Sequence, residues 1–179
     1  MKRKILIGVI CYNEANTLAQ LFEELIDIRS NYHFEIIHFD DQSTDSSQQI
    51  CQNYNIKTIK NKSEKGYSNN VINALKYFVR VETFSHIILM DGDLEHDPMD
   101  IPSFIAKAKT DHFVLGSRNK KNRWAEKFIG FLFNYSLSVP DPYCGMRMYS
   151  VNFAKSFLNK NLHHADGLGP VVYAKRKKK

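Results

Sequence analysis

Short, unbroken apolar runs alternate along the chain with longer segments whose apolar residues recur at helical spacing. Ile5–Ile10 is apolar throughout and rich in β-branched residues, the pattern of a strand covered on both faces. Leu18, Leu21, Phe22, Leu25 and Ile26 predict a helix reaching about Arg29. Phe34–Phe39 is a second strand closed by Asp40-Asp41, and Ser43 is placed as the N-cap of a helix running to about Tyr54. Ile56–Ile59 predicts a short strand and Lys60–Gly66 a polar loop, followed by a helix carrying Val71, Leu75, Phe78 and Val79. His86–Met90 is another buried-type strand that stops at Asp91, and Asp97-Pro98 is a turn before a short helix at Ile101–Lys109. Phe113–Leu115 predicts a strand, Trp124–Val139 a helix, Met146–Tyr149 a last strand and Val151–Leu158 a last helix.

Strand and helix alternate without an internal repeat or a second core, so the expectation is one α/β domain over residues 1–179 with a mainly parallel central sheet flanked by helices. Open sheets of this kind bind ligands outside the carboxyl ends of their strands. Those ends carry Cys11–Glu14, Asp40–Gln42, Asp91–Asp93 and Gly116–Arg118, where polar and acidic residues gather.

Composition narrows the setting. A chain of 179 residues can bury a core without covalent staples, and three cysteines without a C-x-x-C pair suit a reducing, cytoplasmic compartment better than a disulfide framework. No signal-peptide pattern occupies residues 1–20, and no apolar stretch is long enough to span a bilayer. The formal charge is +6, but the last five residues contribute +5 of it, so the body is nearly neutral and a nucleic-acid partner is disfavoured. Lys175–Lys179 is read as a solvated tail.

Two acidic turns carry chemistry. Asp91-Gly92-Asp93 follows a strand directly, and two carboxylates around a small residue can bind one hard divalent cation, which in turn binds phosphate oxygens. The bland alternative is a solvated acidic turn. Against it stand five acids (Asp91, Asp93, Glu95, Asp97 and Asp100) within ten residues, a costly concentration unless a cation is held nearby. In Asp40-Asp41-Gln42-Ser43-Thr44-Asp45, helix capping needs neither Asp40 nor Asp41; a carboxylate at a strand end can accept from a base N–H or a ribose hydroxyl.

Six segments in order, Cys11-Tyr12-Asn13-Glu14, FDDQSTDSS (39–47), Lys65-Gly66, MDGDLEHDP (90–98), LGSR (115–118) and DPYCGMR (141–147), resemble the family 2 glycosyltransferases. The nearest likeness is to the branch of dolichol-phosphate mannose synthase and bacterial polyprenyl-phosphate sugar transferases, over about Ile5 to Arg176. The resemblance implies the GT-A fold, a Rossmann-like nucleotide-diphosphate-sugar transferase architecture. It implies an inverting transfer from a UDP- or GDP-sugar to a polyprenyl or dolichyl phosphate or a growing cell-surface glycan. Tyr12, Asn13 and Glu14 would border the nucleotide, Asp41 would contact the base and Lys65 would lie in the donor loop. Asp91 and Asp93, with Glu95, would hold Mg2+ or Mn2+. His96, Arg118 and Arg147 would face donor or acceptor phosphates, Arg118 doubling as a catalytic residue with Asp93, and Asp141 would be the base. Gln42 stands where the family usually has Gly. The family also usually continues beyond the equivalent of Lys179, so the domain is expected to be short at its C-terminus.

Other readings compete. A haloacid-dehalogenase-like phosphohydrolase also uses D-x-D after a strand but favours Thr or Val where this chain has Glu95; a dinucleotide-binding dehydrogenase fails because Gly8 stands alone. The non-enzyme alternative is a degenerate nucleotide-sugar-binding or scaffold domain. A net +4 between Arg118 and Lys127 leads into the aromatic-rich stretch through Tyr135. It fits either a core helix beside a solvated loop or a peripheral contact at the cytoplasmic face of a membrane.

Overall fold

The computed structural model describes residues 4–117, 139, 141–160 and 168–177. In chain order its elements are β1 (Lys4–Cys11), α1 (Leu18–Asn31), β2 (Phe34–Asp40), α2 (Ser47–Asn53), β3 (Lys57–Lys60), α3 (Tyr67–Val81) and β4 (Phe84–Asp91). A 3-10 turn (Pro98–Asp100) then leads into α4 (Ile101–Lys107), β5 (Phe113–Leu115), β6 (Arg147–Ser150), α5 (Val151–Leu158) and α6 (Leu168–Lys177). The six strands form one sheet in the order β3-β2-β1-β4-β6-β5. β1 pairs parallel with β2 and β4, and β3 parallel with β2; β6 alone runs against its neighbours. The expected mainly parallel sheet is therefore present, with β1 at its centre.

Burial explains the unbroken apolar run in β1. Ile5, Ile7, Val9 and Cys11 face the layer containing α1 and α2, where they meet Leu18, Leu21, Phe22 and Leu25. Leu6 and Ile10 face α3 and α5, against Val71, Leu75 and Phe78. Alternate residues thus enter two separate cores, and no polar position is tolerated on either face. Gly8 lies between them because a Cβ there would come 2.8 Å from Leu89 Cδ2 and 3.1 Å from the Phe39 ring.

Two sequence expectations shift. α2 begins at Ser47 rather than just after Ser43, and its N-cap residue Ser46 makes no side-chain cap bond. Ser43 Oγ is instead used to accept the Asn13 N–H at 3.0 Å. At the other end, the basic run read as a tail is partly helical. α6 buries Val171 and Tyr173, and the Tyr173 ring packs edge-on to Phe153 and Phe157 of α5 while its hydroxyl contacts Ser156 Oγ. Tertiary packing of one aromatic ring overrides the local charge repulsion, and Lys175 and Arg176 stay exposed. The helix expected at Trp124–Val139 lies outside the described residues, apart from Val139.

His38, fully buried in β2, has Nδ1 3.1 Å from Thr58 Oγ1 and its Nε2 without a partner. Burial lowers its pKa from 6.5 to about 4, only partly opposed by Asp40 and Asp45. A depressed folded-state value means stability held above pH 6.5 is lost as pH falls toward 4. Urea unfolding at pH 7, 5.5 and 4 should show a loss of about 3 kcal/mol attributable to this group. In His38→Phe that part of the pH dependence should vanish; an unchanged slope would show that His38 is not the group responsible.

Candidate donor site

Two backbone bonds beyond the strand ladder fix the site. Asp41 N donates to Cys11 O at 2.8 Å and Gly92 N to Ile10 O at 3.0 Å, so the segments leaving β2 and β4 are pinned against the end of β1. The segments after β1 and β2 are then laced to one another. Glu14 N donates to Ser47 Oγ, Ala15 N to Asp45 Oδ2 and Thr44 N to Asn13 Oδ1, at 2.8–3.1 Å. Thr17 Oγ1 donates to Gly92 O at 2.7 Å, joining the start of α1 to the Asp91–Asp93 turn.

This frame encloses a cavity of about 450 Å³ lined by Tyr12, Glu14, Asp41, Lys65, Asp91 and Asp93, with Gly66, Tyr67 and Asn70 from the start of α3. Asp41 is buried; its Oδ1 accepts from Asn61 Nδ2 at 2.7 Å and its Oδ2 from Gly66 N at 2.8 Å. A carboxylate offers about four lone-pair positions, so these two bonds orient it and leave room for a further donor. Lys65 Nζ lies 3.5 Å from the centre of the Tyr12 ring, a cation–π contact across the cavity mouth. Tyr67 exposes part of its ring, yet its hydroxyl is enclosed beside Asp91; burial and that carboxylate both raise its pKa.

A second cavity, about 650 Å³, adjoins the first through Asp93, which lines both. Glu95, His96 and Cys144 line this one. His96 Nε2 stands 3.3 Å from Asp91 Oδ2 as an ion pair rather than an aligned hydrogen bond, and Cys144 Sγ lies 4.0 Å from Nδ1. Burial opposes charge on His96, but Asp91 and Cys144 outweigh it and bring its pKa up to about 10. On the acids the balance runs the other way. Burial, then Asp93, Asp45 and Asp91, raise Glu14; burial, with Asp91 and Glu95, raises Asp93 against the opposing Glu95 N–H bond. Burial and the neighbouring carboxylates thus make the charged form of both groups costlier than in water, and a bound divalent cation would offset that cost.

The residues expected at the site divide. Tyr12, Glu14, Asp41, Lys65, Asp91 and Asp93 converge on the smaller cavity, and His96 and Glu95 on the larger. Asn13 does not line the donor cavity; its carboxamide turns toward Thr44. Glu95 lines the larger cavity beside Asp93, whose Oδ1 accepts the Glu95 N–H at 2.9 Å, and Leu94 between them adopts φ 60°. Among the described residues no three His, Cys, Asp or Glu side chains form a metal cluster. Arg147, expected near phosphates, is buried; its Nε donates to Cys144 O at 2.7 Å and an Nη to Pro142 O at 3.3 Å, bracing the loop that carries Asp141. Asp141 is also buried, and Arg118 lies outside the described residues. Sequence reasoning missed Asn61, Tyr67 and Gly145. A Cβ at Gly145 would collide with Asp91 Oδ2. Only Tyr67, adjacent to Lys65-Gly66, carried a usable signal.

Residues 6–156 match the family model described as Glycosyl transferase family 2. The chain belongs to this family. Among its family 2 relatives, the dolichol-phosphate mannosyltransferase of Pyrococcus furiosus is 30% identical over 131 residues, covering 70% of this chain and 36% of that protein. The undecaprenyl-phosphate 4-deoxy-4-formamido-L-arabinose transferase of Proteus mirabilis is 26% identical over 163 residues, covering 82% and 48%. The chain thus spans about a third to a half of the length of these two curated relatives. Among solved structures, glucosyl-3-phosphoglycerate synthase from Mycobacterium tuberculosis in complex with Mn2+ and UDP-glucose superposes with a TM-score of 0.72 at 16% identity, over 94% of this chain and 67% of that one. The fold is GT-A, as the motifs implied.

Asn61 tests the frame of this family 2 site. Asn61→Ala removes the donor to Asp41 Oδ1 and the acceptor for Ser63 N and Oγ. Leaving a buried carboxylate oxygen short of its donor should cost about 1–3 kcal/mol, read as a lowered urea midpoint. A midpoint unchanged from wild type would show that the bond does not support the loop.

Proposed function

We propose that the chain transfers a sugar from a nucleotide-sugar donor, a UDP- or GDP-sugar, to a phosphate- or hydroxyl-bearing acceptor, with inversion at the anomeric carbon. The observation that carries this reading is the convergence of Tyr12, Asp41, Lys65, Asp91 and Asp93 on one cavity at the carboxyl ends of β1, β2 and β4. In this reading the nucleoside lies between Tyr12 and Asp41, with Glu14 near the ribose, and the diphosphate reaches Asp91 and Asp93. Lys65 then leaves the Tyr12 ring to meet the donor. Because Asp93 lines both cavities, the anomeric carbon would sit at their junction, with the acceptor entering from the larger one.

A divalent ion suits the donor set. Asp91 Oδ1 is buried without a hydrogen-bond partner, and burial with the neighbouring Asp91 and Glu95 raises the pKa of Asp93. Asp91 and Asp93 would hold Mg2+ or Mn2+, and the ion would supply charge stabilisation for the departing diphosphate. The protein's own part is to orient and to exclude water. His96 keeps Asp91 in place from one side and the backbone at Gly145 from the other.

The acceptor decides what else is required. A polyprenyl phosphate is already ionised at neutral pH and needs no strong base, whereas a glycan hydroxyl would need Asp141. The two polyprenyl-phosphate relatives favour the lipid phosphate as acceptor; in this reading the chain works in peripheral contact with the cytoplasmic face of a membrane. Among the described residues no helix is long and apolar enough to cross a bilayer.

Calorimetry with UDP and GDP in the presence of Mn2+ should show binding of one of them, and a screen of UDP-, GDP- and dTDP-sugars should release the matching diphosphate. Asp93→Ala should lower turnover by at least about 10²-fold. Binding of no nucleoside diphosphate would overturn the donor assignment; binding without turnover would leave a nucleotide-sugar-binding domain.

A further inference from the structure

A third cavity, about 500 Å³, lies behind the donor loop, where residues 61–63 meet the outward face of α3. Its polar lining is Asn61, Lys62, Ser63, Asn69, Asn73 and Lys76, and only Ile72 and Leu158 are apolar. The contrast with the other two cavities is one of charge. The donor cavity is lined by Glu14, Asp41, Asp91 and Asp93, and the larger one also by several acids; this one has two ammonium groups and no carboxylate.

Several donors around it are uncommitted. Among the described residues neither Lys62 nor Lys76 takes part in an ion pair. Asn73 Nδ2 is buried with no hydrogen-bond partner, a cost that a native structure usually offsets with a ligand or water. Ser63 Oγ points its bond at Asn61 Oδ1, 2.7 Å away, so the hydroxyl is held at the rim. Asn61 itself is 3% exposed and rigidly tied to Asp41 and to Glu64 O, which makes this wall of the cavity a fixed one. Farther along α3, the Tyr77 ring is flanked by Lys57 of β3 at 5.3 Å and by Arg80 at 6.0 Å, which adds to the positive field.

We propose that the cavity bounded by Lys62, Ser63, Asn73 and Lys76 is a binding site for a phosphate group, distinct from the donor's diphosphate position. Two point charges with an unspent amide donor beside them suit the acceptor oxygens of a phosphate monoester or diester. The phosphate could belong to a small soluble molecule or to a lipid headgroup; the recognition chemistry is shared. The assignment does not depend on the donor reading, since it uses none of the residues around Asp91.

The test is a titration of the whole 179-residue chain with inorganic phosphate, followed by amide and side-chain NMR shifts, on wild type and on Lys62→Gln/Lys76→Gln. Saturable shifts at Asn69, Asn73 and Lys76, weakened about tenfold for each lysine removed, are expected. A urea midpoint and an amide spectrum like the wild type's away from the two substituted positions show that the double variant is folded. A second arm uses sedimentation with phosphatidylglycerol vesicles against phosphatidylcholine vesicles. Binding to the former that the double variant loses, with little response to free phosphate, would assign the lipid source. Shifts confined to residues 11–14 and 91–93, shifts indifferent to the two lysines, or no response in either arm would overturn the proposal.

Discussion

The carboxyl end of β1 is the constraint on which the site depends. β1 is buried on both faces and flanked by parallel partners on both edges, so β2 and β4 must end where it ends. Its last carbonyls then accept N–H groups from beyond both neighbours, Asp41 at Cys11 and Gly92 at Ile10. That register alone places Tyr12, Asp41 and Asp91–Asp93 around one space. A one-residue slip of either partner would turn its side chains to the opposite face and scatter the carboxylates, so the core that makes β1 stable also makes the site.

Gathering acids in this way carries an electrostatic cost that the protein meets unevenly. Asp40, Asp41 and Asp45 are satisfied internally, by Ser43 N and Gln48, by Asn61 and Gly66 N, and by Ala15 N and Ser47 N. Those bonds lower the Asp45 pKa although burial opposes them. Glu14 and Asp93 have no comparable set of donors, and their pKa values rise. The acids around β2 thus hold the frame, while those after β4 keep their capacity for something outside the chain. Like charges left unrelieved in a rigid pocket are the expected preparation for a cationic ligand.

Much of this was legible in the sequence because double burial leaves so plain a mark. The strands starting near Ile5, Phe34 and His86 were found within two residues, and their acidic ends pointed to the donor cavity. What the sequence leaves open is where a polar side chain spends its bonds. Ser43 has the composition of a cap but is held by Asn13, Asn13 looks like a ligand contact but ties two loops, and Arg147 turns from solvent toward the carbonyls of its own loop. Asn61 gave no signal at all: an asparagine in a polar loop resembles any other until the fold brings Asp41 to it. The helix at Leu168–Lys177 was obscured by its charge, since the packing of Tyr173 is a tertiary fact.

Backbone strain collects at the same edge. Asn13, Gln42 and Leu94 all adopt positive φ, at 55°, 64° and 60°, and each sits in the first residues after β1, β2 or β4. Asn tolerates this region; Gln and Leu do so at a cost of about 1–2 kcal/mol each. Gln42 shows how the cost is met. It bonds through Nε2 to Ser63 O at 2.9 Å and, more weakly, to Asn61 O at 3.4 Å. The side chain that makes the turn unfavourable therefore also fastens the donor loop to it. Leu94 has a similar logic with a different anchor: its side chain packs against the core, and within its turn the Asp93 carboxylate accepts the Glu95 N–H at 2.9 Å. Positive φ also occurs at Asn55 and at Glu82, which ends α3, but three of the five such non-glycine residues among those described sit at the edge that carries the acids, as expected when strain is kept at a functional edge and offset by the packing behind it.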